Sequence, residues 1–204
     1  MECNLLFTPP MKTKLPWRFA SLALLALASS PFAQAHPGHG PTDLVTGFLH
    51  PLTGWDHLLA MVAVGLWAAQ LGGRARWALP ATFVGAMVLG AAAGLAGFAP
   101  PGVESAILAS VFALGLLVAG AVRMPLGAGL ALVGLAGACH GAAHGAEMPW
   151  QADSLQFLGG MVAATALLHA SGVIAGAPGM KSSRTIVRWA GVGIVAGGFA
   201  LLLA

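Results

Sequence analysis

Two short runs of ionisable residues interrupt a chain that is otherwise almost wholly apolar. The first run, HPLTGWDH, covers 50–57, and the second, HGAAHGAE, covers 140–147. An ionisable side chain in the bilayer interior costs about 2.5–3.5 kcal/mol or more, so such groups are kept mainly where they bind an ion or line a pathway. The two runs therefore predict a binding site, whose candidate ligands are His50, Asp56, His57, His140, His144 and Glu147.

The second run has the spacing of a metal site on a helix. His140 and His144 are one helical turn apart, so their imidazoles can share one divalent ion, and Glu147 continues the same stripe. Imidazole and carboxylate ligands suit nickel, zinc, cobalt or copper, and they suit magnesium, calcium or alkali ions poorly. A transport site must also release its ion, and protonation of imidazole near its usual pKa of about 6.5 offers a hypothesis for proton-linked release.

The first run needs a bend to act as one site. His50 and His57 project from nearly one face of a regular helix, but about 10 Å apart along its axis. Pro51 and Gly54 interrupt regular helical hydrogen bonding between them, and a locally bent segment would bring the side chains closer. Broken helices of this kind form ion sites in membrane transporters.

The alternative for both runs is hydrogen bonding between helices without any ligand. Interhelical bonds in lipid average only about 0.6 kcal/mol, which is a small return for burying so many ionisable groups. We therefore favour a metal site.

Four further residues are accessory candidates. His36 and His39 could capture a metal before it enters the membrane, or they could belong to a polar tail. For His169 we favour a hydrogen-bonded packing role, with a supplementary ligand as the alternative. Cys139 could be a small apolar filler or a soft ligand.

The composition indicates the elements that position these residues. With 58% hydrophobic and 7% charged residues, the chain has too few polar groups to solvate a globular surface, which predicts an all-α, polytopic membrane protein in a lipid bilayer. Six apolar runs are near the length of a membrane span, and they leave no room for a second domain. The predicted helices cover 44–71, 77–98, 103–122, 125–147, 155–176 and 185–203.

Residues 1–35 have the features of a cleaved signal peptide. Lys12, Lys14 and Arg18 form a basic region, an apolar run follows over 19–28, and Ala-Gln-Ala at 33–35 is a cleavage site. The mature chain would then be a six-helix transmembrane domain over 36–204. It would retain only Cys139, so no intrachain disulfide is expected.

The basic residues predict the topology. In the mature chain they fall only in alternate connections, which the positive-inside rule assigns to the cytoplasm: Arg74, Arg76, Arg123, Lys181, Arg184 and Arg188. We therefore expect a bacterial inner-membrane protein with both mature termini in the periplasm. Both histidine runs would lie in the outer half of the membrane, where they could meet.

Glycine spacing indicates where two helices could pack closely. Gly90 and Gly94, like Gly141 and Gly145, are four residues apart, a spacing that lets helix backbones approach in lipid. With 29 glycines, such pairs also arise by chance. Tight packing around the fourth predicted helix is an expectation.

Three functions fit these residues. A permease for a divalent metal is the first, and it would be driven by gradients or trapping because the chain has no nucleotide-binding motif. An intramembrane zinc hydrolase is the second, with Asp56 or Glu147 activating water. A metal-sensing or accessory subunit without net flux is the third. Without the signal peptide the basic and acidic residues nearly balance, so net charge says little about partners. We expect no nucleic-acid or nucleotide partner, and an oligomer is compatible with the sequence.

The two runs resemble the HupE/UreJ family of nickel permeases. His50, Asp56 and His57 match the family's His-x5-Asp-His motif. Residues 139–147 match its Phe-His-Gly-x-(Ala or Val)-His-Gly-x-Glu motif, except that Cys139 replaces the phenylalanine. The resemblance implies a secondary transporter that brings Ni²⁺, or in some relatives Co²⁺, across the inner membrane for hydrogenase or urease maturation. We therefore expect no enzymatic activity and no permanent cofactor, and Zn²⁺ is a further possible cargo.

Overall fold

The structure is a computed structural model that describes residues 43–148, 153–177 and 184–204. These residues form seven helices and no strand. Five helices are long and apolar enough to cross a membrane, and α1 with α2 makes a sixth if the bent pair is counted as one broken span. The helices are α1 Leu44–Thr53, α2 Trp55–Leu71, α3 Ala75–Leu95, α4 Val103–Gly120, α5 Leu126–Glu147, α6 Asp153–Ala175 and α7 Arg184–Leu203.

This architecture confirms the all-helical, polytopic membrane fold. The predicted signal peptide over 1–35 lies outside the described residues, and so do His36, His39 and Lys181. Most predicted helix ends agree with the structure to within two residues. The helix predicted over 77–98 ends earlier, at Leu95, because Gly97 takes a left-handed conformation and Phe98 N–H bonds back to the Ala93 carbonyl.

The prediction of one continuous helix over 44–71 is wrong. The chain forms α1 and α2, which are bent by 80° at Gly54. At the start of α1, the Asp43 carboxylate accepts a hydrogen bond from Thr46 N–H at 2.7 Å, and Thr46 Oγ1 accepts one from Asp43 N–H at 3.0 Å. Gly54 is extended (φ −80°, ψ 110°), so the helical ladder stops there and restarts in a new direction.

Helices α3 and α5 lie side by side in nearly direct backbone contact. A Cβ atom added at Gly141 would overlap the Met87 carbonyl, and one at Gly145 would overlap the Ala91 carbonyl. Gly94, on the opposite helix, would meet the Ala142 carbonyl in the same way. The predicted close packing at the glycine pairs is therefore confirmed. Along this interface the residue numbers of the contacting pairs rise together on both helices, so α3 and α5 are parallel.

Glycines also set the other two helix pairs. Gly65 on α2 lies against the backbone of His169 on α6, and Gly176 lies against Ala69, so these helices run parallel. Gly191 on α7 lies against Ala119 on α4, and Gly198 against Phe112, so that pair is antiparallel. These directions match a chain that crosses the membrane alternately.

The short helix α1 departs from that regular pattern. Gly47 packs on Phe157 near the start of α6, and Gly160 packs on Leu44. Helix α1 is therefore antiparallel to α6, whereas α2 is parallel to it. Its N-terminus therefore lies level with the second turn of α6. The side chains that α1 leaves exposed are large and apolar, as on a surface that faces lipid: Leu44, Val45, Leu49 and Leu52.

One end of the bundle is closed by packed apolar side chains. Trp67 and Leu79 are fully buried there. Trp67 Nε1–H donates to the Val122 carbonyl at 3.0 Å, and Gln70 Nε2–H donates to the Val118 carbonyl at 3.0 Å, which joins the ends of α2 and α4. Arg74 and Arg123 lie in connections at this end, and Arg76, which the sequence placed in a connection, lies in the first turn of α3. The histidine runs lie towards the other end.

Candidate metal site

The bend between α1 and α2 brings the two histidines of the first run together. Gly54 N–H donates to the His50 carbonyl at 3.0 Å and closes α1, while its own carbonyl accepts from Leu58 N–H at 2.9 Å and opens α2. The His50 and His57 rings are 5.2 Å apart between centroids, edge to face. A regular helix would separate these residues by about 10 Å along its axis. The break therefore creates half of the site.

His144 of α5 completes a group of three imidazoles. Its Nε2 atom is 2.6 Å from Nε2 of His57, across 87 residues of sequence, and its ring centroid is 4.6 Å from that of His50. Each of the three histidines offers a ring nitrogen within 4.8 Å of the others. The expected meeting of the two runs is therefore confirmed. We call His50, His57 and His144 the outer histidine group.

Asp56 holds one of these rings from behind. Its Oδ1 atom lies 2.6 Å from Nδ1 of His57 and accepts a further hydrogen bond from His57 N–H at 2.8 Å. With its proton on Nδ1, the His57 ring presents the Nε2 lone pair to His144. A carboxylate that orients a histidine in this way is common behind metal ligands, where it also raises ligand basicity. The structure thus places Asp56 behind a ligand and not within the outer histidine group.

The outer histidine group has the chemistry of a cation site. With its proton on Nδ1, His57 accepts a hydrogen bond at Nε2 from His144 Nε2–H at 2.6 Å, and an ion that bound both nitrogens would replace that proton. Three nitrogen ligands from three helices suit zinc, nickel, cobalt or copper. His57 and His144 are buried, at 6% exposure each, whereas the Asp56 side chain is 30% exposed. The group is therefore reached from the end of the bundle that lies away from Arg74 and Arg123.

His140 lies one turn further into the bundle. It is fully buried, and its ring centroid is 5.1 Å from that of His57. Its Nδ1–H donates to the Ala136 carbonyl at 2.9 Å, which leaves the Nε2 lone pair for another partner. That Nε2 atom has no hydrogen-bond partner among the described residues. His140 is thus adjacent to the outer histidine group and has a free ligand atom.

The remaining candidates lie elsewhere. Glu147 is exposed at the end of α5, and it and Asp56 fall outside the group of residues close enough to bind one ion. Cys139 is a partly exposed free thiol, and it too lies outside the outer histidine group. His169 is buried in α6, but the favoured hydrogen-bonded role is wrong, since neither of its ring nitrogens has a partner among the described residues.

Two aromatic residues near the site were not predicted. The Phe157 ring lies 5.8 Å from the His50 ring, and the Phe83 ring lies 5.4 Å from that of His140. A phenylalanine in an apolar helix gives no signal of its own in a sequence. Only the packing of α3 and α6 against the histidine helices identifies these two.

Comparison with known proteins extends these observations to the whole chain. The sequence model of the family described as HupE / UreJ protein matches residues 22–201. Protein HupE of Rhizobium leguminosarum bv. viciae is 41% identical over 184 residues, which are 90% of this chain and 95% of that protein. No solved structure matches the chain.

Proposed function

The chain belongs to the HupE/UreJ family, and from that premise we propose that it is a permease that carries a divalent transition metal ion across the membrane. The family comprises transporter and accessory proteins and not enzymes, so the prediction that this chain is not an enzyme is confirmed. The ion is accordingly cargo and not a permanent cofactor. Ni²⁺ is the cargo that we propose, ahead of Co²⁺ and Zn²⁺, for hydrogenase or urease maturation.

The observation that carries this proposal is the 2.6 Å contact between His57 Nε2 and His144 Nε2. It joins helices that are distant in sequence, inside a bundle whose other interior side chains are mainly apolar. A buried polar contact of this kind is expected where a membrane protein handles an ion. We propose His50, His57, His144 and His140 as ligands during passage, and Asp56 as the residue that orients His57.

Glu147 has a different proposed role. It is exposed at the end of α5, one turn beyond His144, and so lies on the approach to the outer histidine group. A carboxylate at the mouth of a cation path raises the local concentration of cations. We propose that Glu147 attracts the ion before the imidazoles bind it.

We also propose that the protein lies in the bacterial inner membrane, with the outer histidine group towards the periplasm. Parallel α2 and α6, parallel α3 and α5, and antiparallel α4 and α7 support alternate crossing. Arg74, Arg76 and Arg123 share the opposite end of the bundle, which the positive-inside rule assigns to the cytoplasm. The proposed direction of transport is inward, from the histidine end to the arginine end.

Uptake of radioactive Ni²⁺ into cells that lack their own nickel importers tests the proposal. We expect His57→Ala and His144→Ala each to lower the initial uptake rate by about tenfold or more, because each removes one of three nitrogen ligands. Ser110→Ala is the matched control, since Ser110 is buried in α4 but bonds only to the Ile107 carbonyl of its own helix. Membrane levels of every variant are measured by immunoblot.

Competition by unlabelled Co²⁺ and Zn²⁺ in the same cells ranks the cargo ions. A well-expressed wild-type chain that takes up none of the three metals would contradict the permease. If the purified chain nevertheless bound Ni²⁺, the accessory or sensing function would replace it.

A further inference from the structure

His169 is an unusual residue for the middle of a membrane bundle. It is 1% exposed in α6, and neither Nδ1 nor Nε2 has a hydrogen-bond partner among the described residues. Buried polar groups in proteins are nearly always hydrogen-bonded, and an imidazole without a partner destabilises the fold relative to an apolar side chain of similar size. Packing alone therefore does not explain why a histidine occupies this position.

His169 lies deeper in the bundle than the outer histidine group. Its backbone carbonyl touches Gly65 of α2, which is eight residues, or about 12 Å of helix, beyond His57. Phe83 packs edge to face on His169, with ring centroids 5.1 Å apart, and the same ring lies 5.4 Å from His140. The two side chains thus contact the same Phe83 ring, at successive depths.

Both imidazoles have nitrogen atoms available to a ligand. His140 offers its unpartnered Nε2, while His169 offers either ring nitrogen. Two neighbouring imidazoles in a dry interior form a binding position for a borderline divalent cation, as the outer histidine group does. Conduction through a membrane also favours several sites of moderate affinity, because an ion held at one tight site does not leave.

We propose that His169, together with His140, forms an inner metal-binding station that receives the cargo ion from the outer histidine group. This proposal rests on the proposed permease function. Passage of the ion exchanges imidazole ligands from His57 and His144 to His140 and then His169, and no covalent bond or redox change is involved. The Phe83 ring contacts both histidines of the inner station.

Substitutions of His169 in the full-length chain test the inner station. His169→Leu replaces the imidazole with an apolar side chain that fills the buried position, whereas His169→Cys provides a different metal ligand. We expect initial Ni²⁺ uptake to fall at least tenfold in His169→Leu and to recover in part in His169→Cys. The thermal midpoint of His169→Leu should equal or exceed that of the wild type, because a buried unpartnered polar group is removed.

Equilibrium dialysis of Ni²⁺ against the protein in lipid nanodiscs separates binding from flux. We expect two Ni²⁺ per wild-type chain and one per His169→Leu chain, with the affinity of the remaining site changed by less than threefold. Uptake within twofold of the wild type, an unchanged stoichiometry of two, or a loss of uptake accompanied by a lower thermal midpoint would each overturn the inner station.

The same measurements distinguish this proposal from the permease function itself. If wild-type uptake is present and is lost in His57→Ala but not in His169→Leu, the permease stands and the inner station is refuted. If the wild-type chain neither transports nor binds Ni²⁺, the permease fails and the inner station fails with it.

Discussion

At the scale of single residues, the histidines of this chain divide by the partners of their ring nitrogens. His57 has one nitrogen on the Asp56 carboxylate and the other on His144, so its orientation is set from both sides. His140 has one nitrogen on the Ala136 carbonyl of its own helix and one without a hydrogen-bond partner in the part of the chain that the structure describes. A ring whose one nitrogen is held by a carboxylate presents its other nitrogen in a fixed direction, whereas a nitrogen without a partner in an apolar interior is available to a ligand.

Asp56 gives a prediction at this scale. Asp56→Asn replaces the charged acceptor on His57 Nδ1 with a neutral amide, which orients the ring less firmly and lowers its basicity. We expect the Kd for Ni²⁺, measured by equilibrium dialysis in nanodiscs, to rise about 10–100-fold, as for other residues behind metal ligands.

The matched control is Asp43→Asn, which changes an exposed carboxylate that caps α1 and contacts Thr46. Its effect on the Kd should be less than twofold. If Asp56→Asn abolished binding as completely as His57→Ala, Asp56 would be a direct ligand, and an unchanged Kd would remove it from the site.

At the scale of helices, the site depends on a break and on a close contact. The break at Gly54 bends the chain by 80° between α1 and α2 and brings His50 close to His57. The close contact between α3 and α5 fixes the helix that carries His140 and His144. Neither feature supplies a ligand, yet both determine where the ligands lie.

Gly54 is sensitive because it lies beside the pair that orients the ligand. A Cβ atom there would be 3.1 Å from His57 Nδ1 and 3.2 Å from Asp56 Oδ1. Both side chains would have to shift slightly to relieve the crowding. Alanine also favours continuation of the helix by about 1 kcal/mol over glycine. We therefore expect Gly54→Ala to weaken Ni²⁺ binding about tenfold, an estimate taken from the effects of residues behind metal ligands.

The same nanodisc dialysis measures the Gly54→Ala variant. Gly159→Ala is a suitable control, because its Cβ would meet no atom within 4 Å. Unaltered Ni²⁺ affinity in Gly54→Ala would show that the Asp56–His57 pair tolerates crowding and that the bend is set elsewhere.

Close packing of α3 and α5 predicts a stability effect. In Gly141→Ala the new Cβ would overlap backbone atoms of Met87 and Ala91, which cannot rotate away, so the helices must separate. We expect a loss of about 1–3 kcal/mol, observed as a lower midpoint of thermal unfolding in detergent.

Gly85→Ala on α3 is the control, since its Cβ meets no atom within 4 Å. Alanine in that open helical position should leave the free energy of unfolding unchanged or raise it by up to about 1 kcal/mol, so the midpoint should not fall. Equal midpoints for Gly141→Ala and Gly85→Ala would contradict the close contact.

The sequence predicted some of these features and not others, for physical reasons. Charge in the connections and the depth of each run sufficed to predict that the two runs could meet, but not that His57 and His144 are the residues in contact. Pro51 and Gly54 predicted an interruption, but the size and direction of the bend depend on how α1 packs against Phe157 and Gly160.

The roles of Asp56 and His169 were beyond the sequence for a related reason. Residue type identifies a possible ligand, but the partner of each ring nitrogen depends on the rotamers and neighbours that three-dimensional packing selects. His169 therefore looked like an ordinary hydrogen-bonded histidine, although the structure gives its ring no such bond among the described residues.

At the scale of the whole molecule, the bundle has one polar end and one closed end. The outer histidine group is reached beside the partly exposed Asp56, whereas buried Trp67 and Leu79 close the path towards the arginine end. Transport in this family would therefore require the helices to rearrange around the site, so that access alternates between the two ends. Under the proposed permease function, the structure would correspond to a state that is closed at the arginine end.

The orientation of those ends gives the last prediction. In a chain with Cys3 and Cys139 replaced by alanine, single cysteines at Ala99 and at Pro125 mark opposite ends, since both positions are exposed in connections before and after α4. If the arginine end is cytoplasmic, a membrane-impermeant maleimide applied to spheroplasts should label Ala99→Cys at once and Pro125→Cys only after permeabilisation. Ni²⁺ uptake by both variants confirms that they are folded. The reverse labelling pattern would place the outer histidine group on the cytoplasmic side, and the chain would then be loaded from inside the cell and act as an exporter.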